Sequence, residues 1–364
     1  MTRPRKTILL LLTAVPLLAA AAPTQPLTEA QDALALGICA AGTNDVEITD
    51  GVNCVVFHPG YRRISLNGIT AWLNFPAEPD AKETLALSTN DVERFLSPAV
   101  NGCMTFTTNN PPRVFIDAGH GGDDCGATAA DGQREKDVAL DIALRLGTLL
   151  EDAGLAVFQT RTNDTFVALA MRSEMAKAAN ADIFVSVHCN TTGSRAAKGV
   201  ETFALAMPGS ESTSADSRIS RNRYPGNDFD SGSSALGYLV HSCINMERGE
   251  ADRGLRRARF QVLRLAPCPA ILVECGFLSN TAENKSLSSA RYRERMARSI
   301  ADGVVAYAEL STAFKEADEG EAPAPGAGGD EAEAEAATEA NAEAGTGAGA
   351  EADAAPGEDA EAVK

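Results

Sequence analysis

Two histidines and two glutamates stand in this chain near the points where apolar runs give way to polar residues. Val114–Ile116 leads into Asp117, Ala118, Gly119 and His120; Ile183–Val187 leads into His188, Cys189 and Asn190; Ala270–Val273 leads into Glu274. Glu135 follows His120 by fifteen residues, across a Gly-rich stretch, and opens a segment of helical periodicity. Open α/β sheets hold their ligands beyond the carboxyl ends of the strands, so these groups are expected to converge at one sheet edge. Two imidazoles and a carboxylate form the donor set of a catalytic zinc site, where three protein ligands leave a fourth position for water. His120, Glu135 and His188 supply that set, and Glu274 is left over as a carboxylate able to take a proton. Each residue also has a plainer account. A histidine at a strand end is commonly a satisfied structural residue, and Glu135 would equally favour the positive end of a helix. The spacing is not a dedicated metal signature of the HExxH kind. The chain has only four histidines; His58 falls in a β-rich stretch and His241 within a helix, so neither joins the set.

The elements that must position these groups alternate. After the apolar run at 114–116, residues 137–152 carry Val138, Ile142, Leu146 and Leu149 on one helical face. A strand at 156–158, a helix over about 166–179 and a strand at 183–187 follow. A further strand is expected at 200–205, a helix at 233–246 and a strand at 270–273. The closing helix carries Tyr292, Met296, Ile300, Val304 and Tyr307 every three or four residues. Strands alternating with helices imply an α/β domain over 111–314, with a mostly parallel sheet flanked by helices. The polar stretch 209–234, rich in Ser, Asn, Asp and Gly, reads as a long loop at the substrate rim or a lid.

A small β-rich module is expected ahead of it, over 23–110. Asn67-Gly68 between the runs 63–66 and 69–73 is a strong hairpin signal, because both turn positions need positive φ. Asn90 with Glu93 marks a helix start, and Trp72, the only tryptophan, reads as core. Residues 1–22 combine a basic start, a short apolar run and alanines, the pattern of a secretory signal peptide. Pro16 interrupts that run, so a retained membrane anchor is the weaker reading and no transmembrane segment is expected after cleavage. Residues 315–364 carry 15 acidic side chains against two lysines, so this segment holds −13 of the chain's −18 and the remainder only −5. A segment of Ala, Glu, Gly, Pro and Asp buries too little to offset ordering entropy, so a disordered acidic tail is expected. The acidity argues against nucleic acid as a partner. Eight cysteines in an exported chain leave room for disulfides, with no connectivity readable.

Five separated motifs then occur in order: VFIDAGHGG at 114–122, EKD at 135–137, TRTND at 160–164 with Arg172, SVHCN at 186–190, and VECGFLSN at 273–280. Together they resemble the N-acetylmuramoyl-L-alanine amidase family of zinc enzymes, over roughly residues 113–308. The resemblance implies zinc held by His120, Glu135 and His188, a catalytic glutamate at Glu274, and peptidoglycan as substrate, cut between N-acetylmuramic acid and L-alanine. Zinc would polarise the scissile carbonyl and acidify water, with Glu274 as general base and then general acid. Asn190 and Asn280 are read as polar, substrate-binding rim residues or as loop caps; Asp117, Arg161 and Asp164 as structural support. Cys189 departs from the small aliphatic residue expected there, and strand alternation points it away from His188's side. Alternative readings are a catalytically silent peptidoglycan-binding protein and a zinc peptidase or deacetylase acting on another envelope polymer. An exported protein of the periplasm or cell envelope is expected, with protein partners left open.

Overall fold

The computed structural model describes residues 23–26, 29–30, 34, 37–41, 45–79, 85–101, 109–214, 218–248 and 251–320. The segment 1–22, Cys103 and the acidic stretch beyond Gly320 lie outside the described residues. The strands are β1 (Thr24–Pro26), β2 (Gly37–Ala41), β3 (Val46–Thr49), β4 (Cys54–Phe57), β5 (Arg63–Leu66), β6 (Ile69–Trp72), β7 (Glu78–Pro79), β8 (Leu85–Ser88), β9 (Arg113–Ala118), β10 (Ala156–Gln159), β11 (Ile183–Asn190), β12 (Val200–Leu205), β13 (Asp252–Ala258) and β14 (Ala270–Phe277). In the α/β part the helices are α1 (Glu135–Asp152), α2 (Leu169–Ala178), α3 (Asp230–Arg248), α4 (Gln261–Arg264), α5 (Thr281–Leu287) and α6 (Ala290–Gly320).

Eleven strands form one sheet in the order β10-β9-β11-β14-β12-β13-β6-β5-β4-β3-β2, and β1-β8-β7 make a small antiparallel sheet. From β10 to β13 the pairing is parallel except between β14 and β12, which run antiparallel. Parallel strands must be covered on both faces, and alternation along each strand supplies both coats. On one face Val114, Ile116, Val185, Val187, Ile271 and Val273 pack with α1, α3 and α6. On the other, Phe115, Phe184, Phe203 and Leu272 pack with α2 and α4. Cys189 lies fully buried in the first layer, opposite His188's face, as alternation requires. Cys125, Cys243 and Cys268 are free thiols.

The Asn67-Gly68 hairpin forms with both residues at positive φ, 51° and 79°, and Leu66 faces Ile69 across it. The helical run at 89–101 is entered from Ser88 rather than Asn90. The β-rich stretch is continuous with the α/β sheet: β6 pairs parallel to β13 through Ala71 and Leu255. The Thr70 amide donates to Asp252 at 2.7 Å, Arg257 Nε donates to the Trp72 carbonyl at 3.1 Å, and Asn67 Nδ2 donates to the Tyr238 hydroxyl at 2.8 Å. Ala204, Tyr238 and Leu255 belong to the same apolar cluster as Phe57, Leu66 and Phe95, so the two parts share a core.

Four elements differ from their sequence-based bounds. The strands carrying His188 and Glu274 run through those residues, so both groups sit on strands rather than on loops beyond them. The helix expected from 166 begins at Leu169, because the Val167 carbonyl is taken by Arg172 Nε at 3.0 Å. The final helix passes Lys315 and reaches Gly320, through Ala, Glu and Lys residues of high helix propensity.

Candidate functional site

His120 sits just past the end of β9 in a turn with unusual backbone: its own φ is +59°, and Gly121 and Gly122 follow at +132° and +59°. A non-glycine residue at positive φ is uncommon and costs energy that the surroundings must offset. Two buried arginines do so. Arg172 Nη1 donates to Asp117 Oδ1 at 2.7 Å and to the Ala118 carbonyl at 2.8 Å, and Nη2 reaches the His120 carbonyl at 3.0 Å. Arg161 donates to the Ala118 and Gly119 carbonyls at 3.0 and 2.7 Å, and to the Lys136 carbonyl at 2.9 Å, tying the turn to the start of α1. Ser186 completes the Asp117 carboxylate at 2.7 Å. Lys136 and the Gly122 amide both donate to Asp164, at 2.7 and 2.8 Å. Asp117, Arg161 and Asp164 thus hold backbone in place.

Glu135 is the first residue of α1 and is 1% exposed. Its carboxylate lies between the two imidazoles, Oε1 at 2.8 Å from His188 Nδ1 and Oε2 at 3.2 Å from His120 Nε2. The Cys189 and Ala127 amides also donate to it, at 3.0 and 2.9 Å. The ring centroids of His120 and His188 are 5.0 Å apart and nearly perpendicular. One ligand atom each from His120, Glu135 and His188 lie within 4.8 Å of one another. Burial works to raise the Glu135 carboxyl, yet hydrogen bonds and charge from His120 and His188 hold it well below the usual range. For His120 burial disfavours the imidazolium, and Glu135 with Asp124 outweigh it and raise the group.

The donor set and its packing fit a zinc ion. Ligand atoms about 2.0–2.2 Å from a tetrahedral centre lie about 3.3–3.6 Å apart, close to the 3.2 Å between Glu135 Oε2 and His120 Nε2. His120 Nε2 is buried and faces Glu135 Oε2 at 3.2 Å, while its Nδ1 is held at 2.8 Å by Asp124 Oδ2. A carboxylate on the far ring nitrogen is the usual orienter of a metal-ligating histidine. The glycines make room: a Cβ on Gly119 would stand 2.4 Å from the His188 ring, and one on Gly126 2.5 Å from His120 and 2.7 Å from Glu135.

Glu274 is 1% exposed and pairs in register with His188 on one side and Glu201 on the other. A like charge directly opposite is unfavourable, and the structure neutralises Glu201: Arg253 reaches it at 2.6 Å, Arg256 is also bonded to it, and Asn190 Nδ2 donates at 2.7 Å. Asn190 is therefore engaged by Glu201, and its Oδ1 accepts from the Thr191 amide at 2.8 Å. Asn280 caps α5, accepting from the Ala282 and Glu283 amides at 3.0 and 3.1 Å while donating to the Arg195 carbonyl. Sequence reasoning passed over Asp124 and Glu201. The signals were there: an acid four residues after His120, and the single ionisable side chain in the run Val200–Leu205. Beside the histidines a half-open, largely apolar cavity of about 350 Å³ is walled by Phe166–Ala170 and Gln261.

Residues 114–306 match the family model described as N-acetylmuramoyl-L-alanine amidase. The chain is 33% identical over 244 residues to the N-acetylmuramoyl-L-alanine amidase AmiC of Escherichia coli O6:H1, covering 60% of this chain and 58% of that protein. It is 33% identical over 214 residues to the N-acetylmuramoyl-L-alanine amidase LytC of Bacillus subtilis, covering 58% of this chain and 39% of that protein. The chain spans about half the length of the curated relatives it matches. The solved N-acetylmuramoyl-L-alanine amidase AmiC2 of Nostoc punctiforme aligns at 34% identity with a TM-score of 0.47, covering 54% of this chain and 97% of that one.

Proposed function

The chain belongs to the N-acetylmuramoyl-L-alanine amidase family, and from that membership we propose that it hydrolyses the amide between N-acetylmuramic acid and L-alanine in peptidoglycan, with zinc held by His120, Glu135 and His188. The observation that carries the reading is the buried His120–Glu135–His188 group with Glu274 in register beside His188. Zinc bound there supplies a Lewis acid that polarises a carbonyl and acidifies water. Glu274, on β14, takes the proton from the attacking water and returns it to the departing alanine nitrogen, so that the amine leaves neutral. Asp124 fixes the His120 ring through Nδ1, and the Arg161 and Arg172 contacts hold the backbone that carries it. Arg253 and Arg256 compensate Glu201, so that Glu274 does not face a second uncompensated carboxylate.

Asn280 acts as a helix cap and Asn190 as a clamp on Glu201, both at the edge of the site. The segment 1–22 directs export, which places the enzyme at the cell envelope, where its substrate is. No helix among the described residues is long and apolar enough to cross a membrane. The α/β part, 111–314, carries the chemistry, and the 23–110 stretch extends its sheet. Mass analysis of products from purified peptidoglycan tests the reading. Free stem peptides with intact glycan strands are expected; shortened stems still joined to glycan would instead identify a peptidase.

A further inference from the structure

A cavity of about 820 Å³ is lined by Asp45, His58, Tyr61, Arg62, Arg63 and Trp72, which leaves Trp72 half-buried at its wall rather than sealed in the core. It includes no residue of the metal group. The cavity of about 350 Å³ is lined by both His120 and His188, so a ligand that fills it lies against that group. Strand alternation accounts for its position. Phe184 and Leu272 pack with α2 and α4, and His188 and Glu274, an even number of residues further along β11 and β14, share that face. Beyond the strand ends the face is walled by the segment that enters α2 at Leu169 and by Gln261, the first residue of α4.

The wall is fixed to the turn that carries His120. A Cβ on Gly121 would stand 2.2 Å from the Thr165 carbonyl oxygen, and one on Gly122 2.9 Å from the Phe166 amide nitrogen, so the two backbones touch. Arg172 Nε holds the Val167 carbonyl at 3.0 Å. Phe166 keeps 56% of its surface open even so, a large apolar ring presented at the cavity instead of folded into the core.

Two features of the lining narrow its ligand. No cation in it is unspent: Arg172, its one guanidinium, is buried and gives its N–H groups to Asp117 and to the Val167, Ala118 and His120 carbonyls. A ligand carboxylate would enter unpaired, beside the carboxylate of Asp124. The free polar group is an amide, because half-buried Gln261 forms no side-chain hydrogen bond among the described residues. A side-chain amide offers an acceptor and two donors, the complement of another amide. In peptidoglycan the free carboxylates belong to the stem peptide. The muramoyl residue has none once its lactyl group is in amide linkage, and it brings an acetamido group and a sugar ring edged with C–H bonds.

We propose that this cavity is the subsite for the N-acetylmuramoyl residue, with the Gln261 side chain bonded to the acetamido group, Phe166 against the sugar ring, and the charged stem peptide outside it. The proposal rests on the amidase reading and names the part of the substrate held beside the metal group. Size agrees: about 350 Å³ is at the small end of ligand pockets, roughly 300–1,000 Å³, and admits one sugar residue.

The test uses a muropeptide and a synthetic analogue in which a hydroxyl replaces the muramoyl acetamido group, so that charge is unchanged. Affinity is measured by calorimetry on zinc-loaded, full-length Glu274→Gln, and cleavage on the chain with Glu274 intact. The muropeptide is expected to bind about tenfold more tightly than the analogue, with kcat/KM following. Gln261→Ala is expected to weaken the muropeptide about tenfold and to leave the analogue unaltered, since the loss is one hydrogen-bonded contact. Phe166→Ala is expected to weaken both ligands alike, because they share the sugar ring. Equal affinity of wild-type Gln261 protein for the two ligands, an equal loss on both with Gln261→Ala, or a preference that survives Gln261→Ala overturns the subsite. If muropeptide is cleaved in those cases, the amidase reading stands alone. Acetamido-selective binding by a protein that cleaves no muropeptide overturns the amidase reading instead.

Discussion

At the carboxyl ends of β9 and β11, Arg161 and Arg172 turn inward and direct their N–H groups to backbone carbonyls. Along β13 and β5 the arginines behave differently: Arg256 lies over aromatic rings and pairs with Glu201, and Arg63 stands exposed at a cavity. The first pair is almost wholly buried, with Arg172 at 2% and Arg161 at 4% exposure. There the positive charge serves rigidity, since a buried guanidinium with its donors filled cannot also take a ligand. Arg63 remains exposed to solvent, while Arg256 is engaged by Glu201 and the Thr213 carbonyl. Residue type alone does not distinguish the two uses; the acceptors each guanidinium meets do.

The largest effect that would break this contrast lies at the rigid end. Glu274→Gln keeps the side chain's size and removes its basicity, so turnover should fall by about 10²- to 10⁴-fold while zinc stays bound. Replacing His120, Glu135 or His188 should lower zinc occupancy and activity together. Elemental analysis beside a muropeptide assay separates the two. A Glu274→Gln protein with full zinc and normal turnover would remove Glu274 from the mechanism, and one without zinc would make it a ligand.

Next comes the scaffold beneath His120. Arg172→Ala leaves Asp117 buried without its cation and strips donors from the Ala118 and His120 carbonyls, which should cost about 3–5 kcal/mol in chemical denaturation. Arg63→Ala, at the open end, should change that stability by no more than about 0.5 kcal/mol. Similar losses in the two variants would erase the distinction drawn between them.

A pH-dependent effect is expected where the two halves meet. Burial pushes the Asp230 carboxyl up to about 6, against partial compensation from Asn227, Arg257 and Arg94. Because the folded value is raised, the associated stability is fully present below the unfolded value near 4 and is lost as pH rises through 6. The wild-type protein should therefore lose up to about 3 kcal/mol between pH 4 and 7 relative to Asp230→Asn, at about 1.4 kcal/mol per pKa unit. Parallel stability curves for the two proteins over that range would show that Asp230 is not the titrating group.

The amino-acid order by itself determined the layered α/β plan, which rests on local regularities, and its motifs singled out His120, Glu135 and His188, which the fold brings together as a group that could hold a metal ion. Apolar runs of strand length, helices of 3.6-residue period and the Asn67-Gly68 turn are short-range preferences. His120, His188 and Glu274 stood out as ionisable groups set against such runs. What the order could not reveal is what distant partners make permissible. Asp252–Ala258 reads as polar because it holds Arg253, Arg256 and Arg257, yet it forms a central strand. Glu201, Thr213, Ser234 and the Trp72 carbonyl accept from those guanidiniums from far along the chain. Once β13 is in place it joins the N-terminal hairpins to the α/β sheet, extends the Glu274 face to Trp72 and Arg63, and turns two expected units into one sheet. Asn190 and Asn280 likewise gained their partners, Glu201 and the α5 amides, only when the chain closed. A buried charge is tolerable only when it is paired, and pairing across the fold is a property of the tertiary structure.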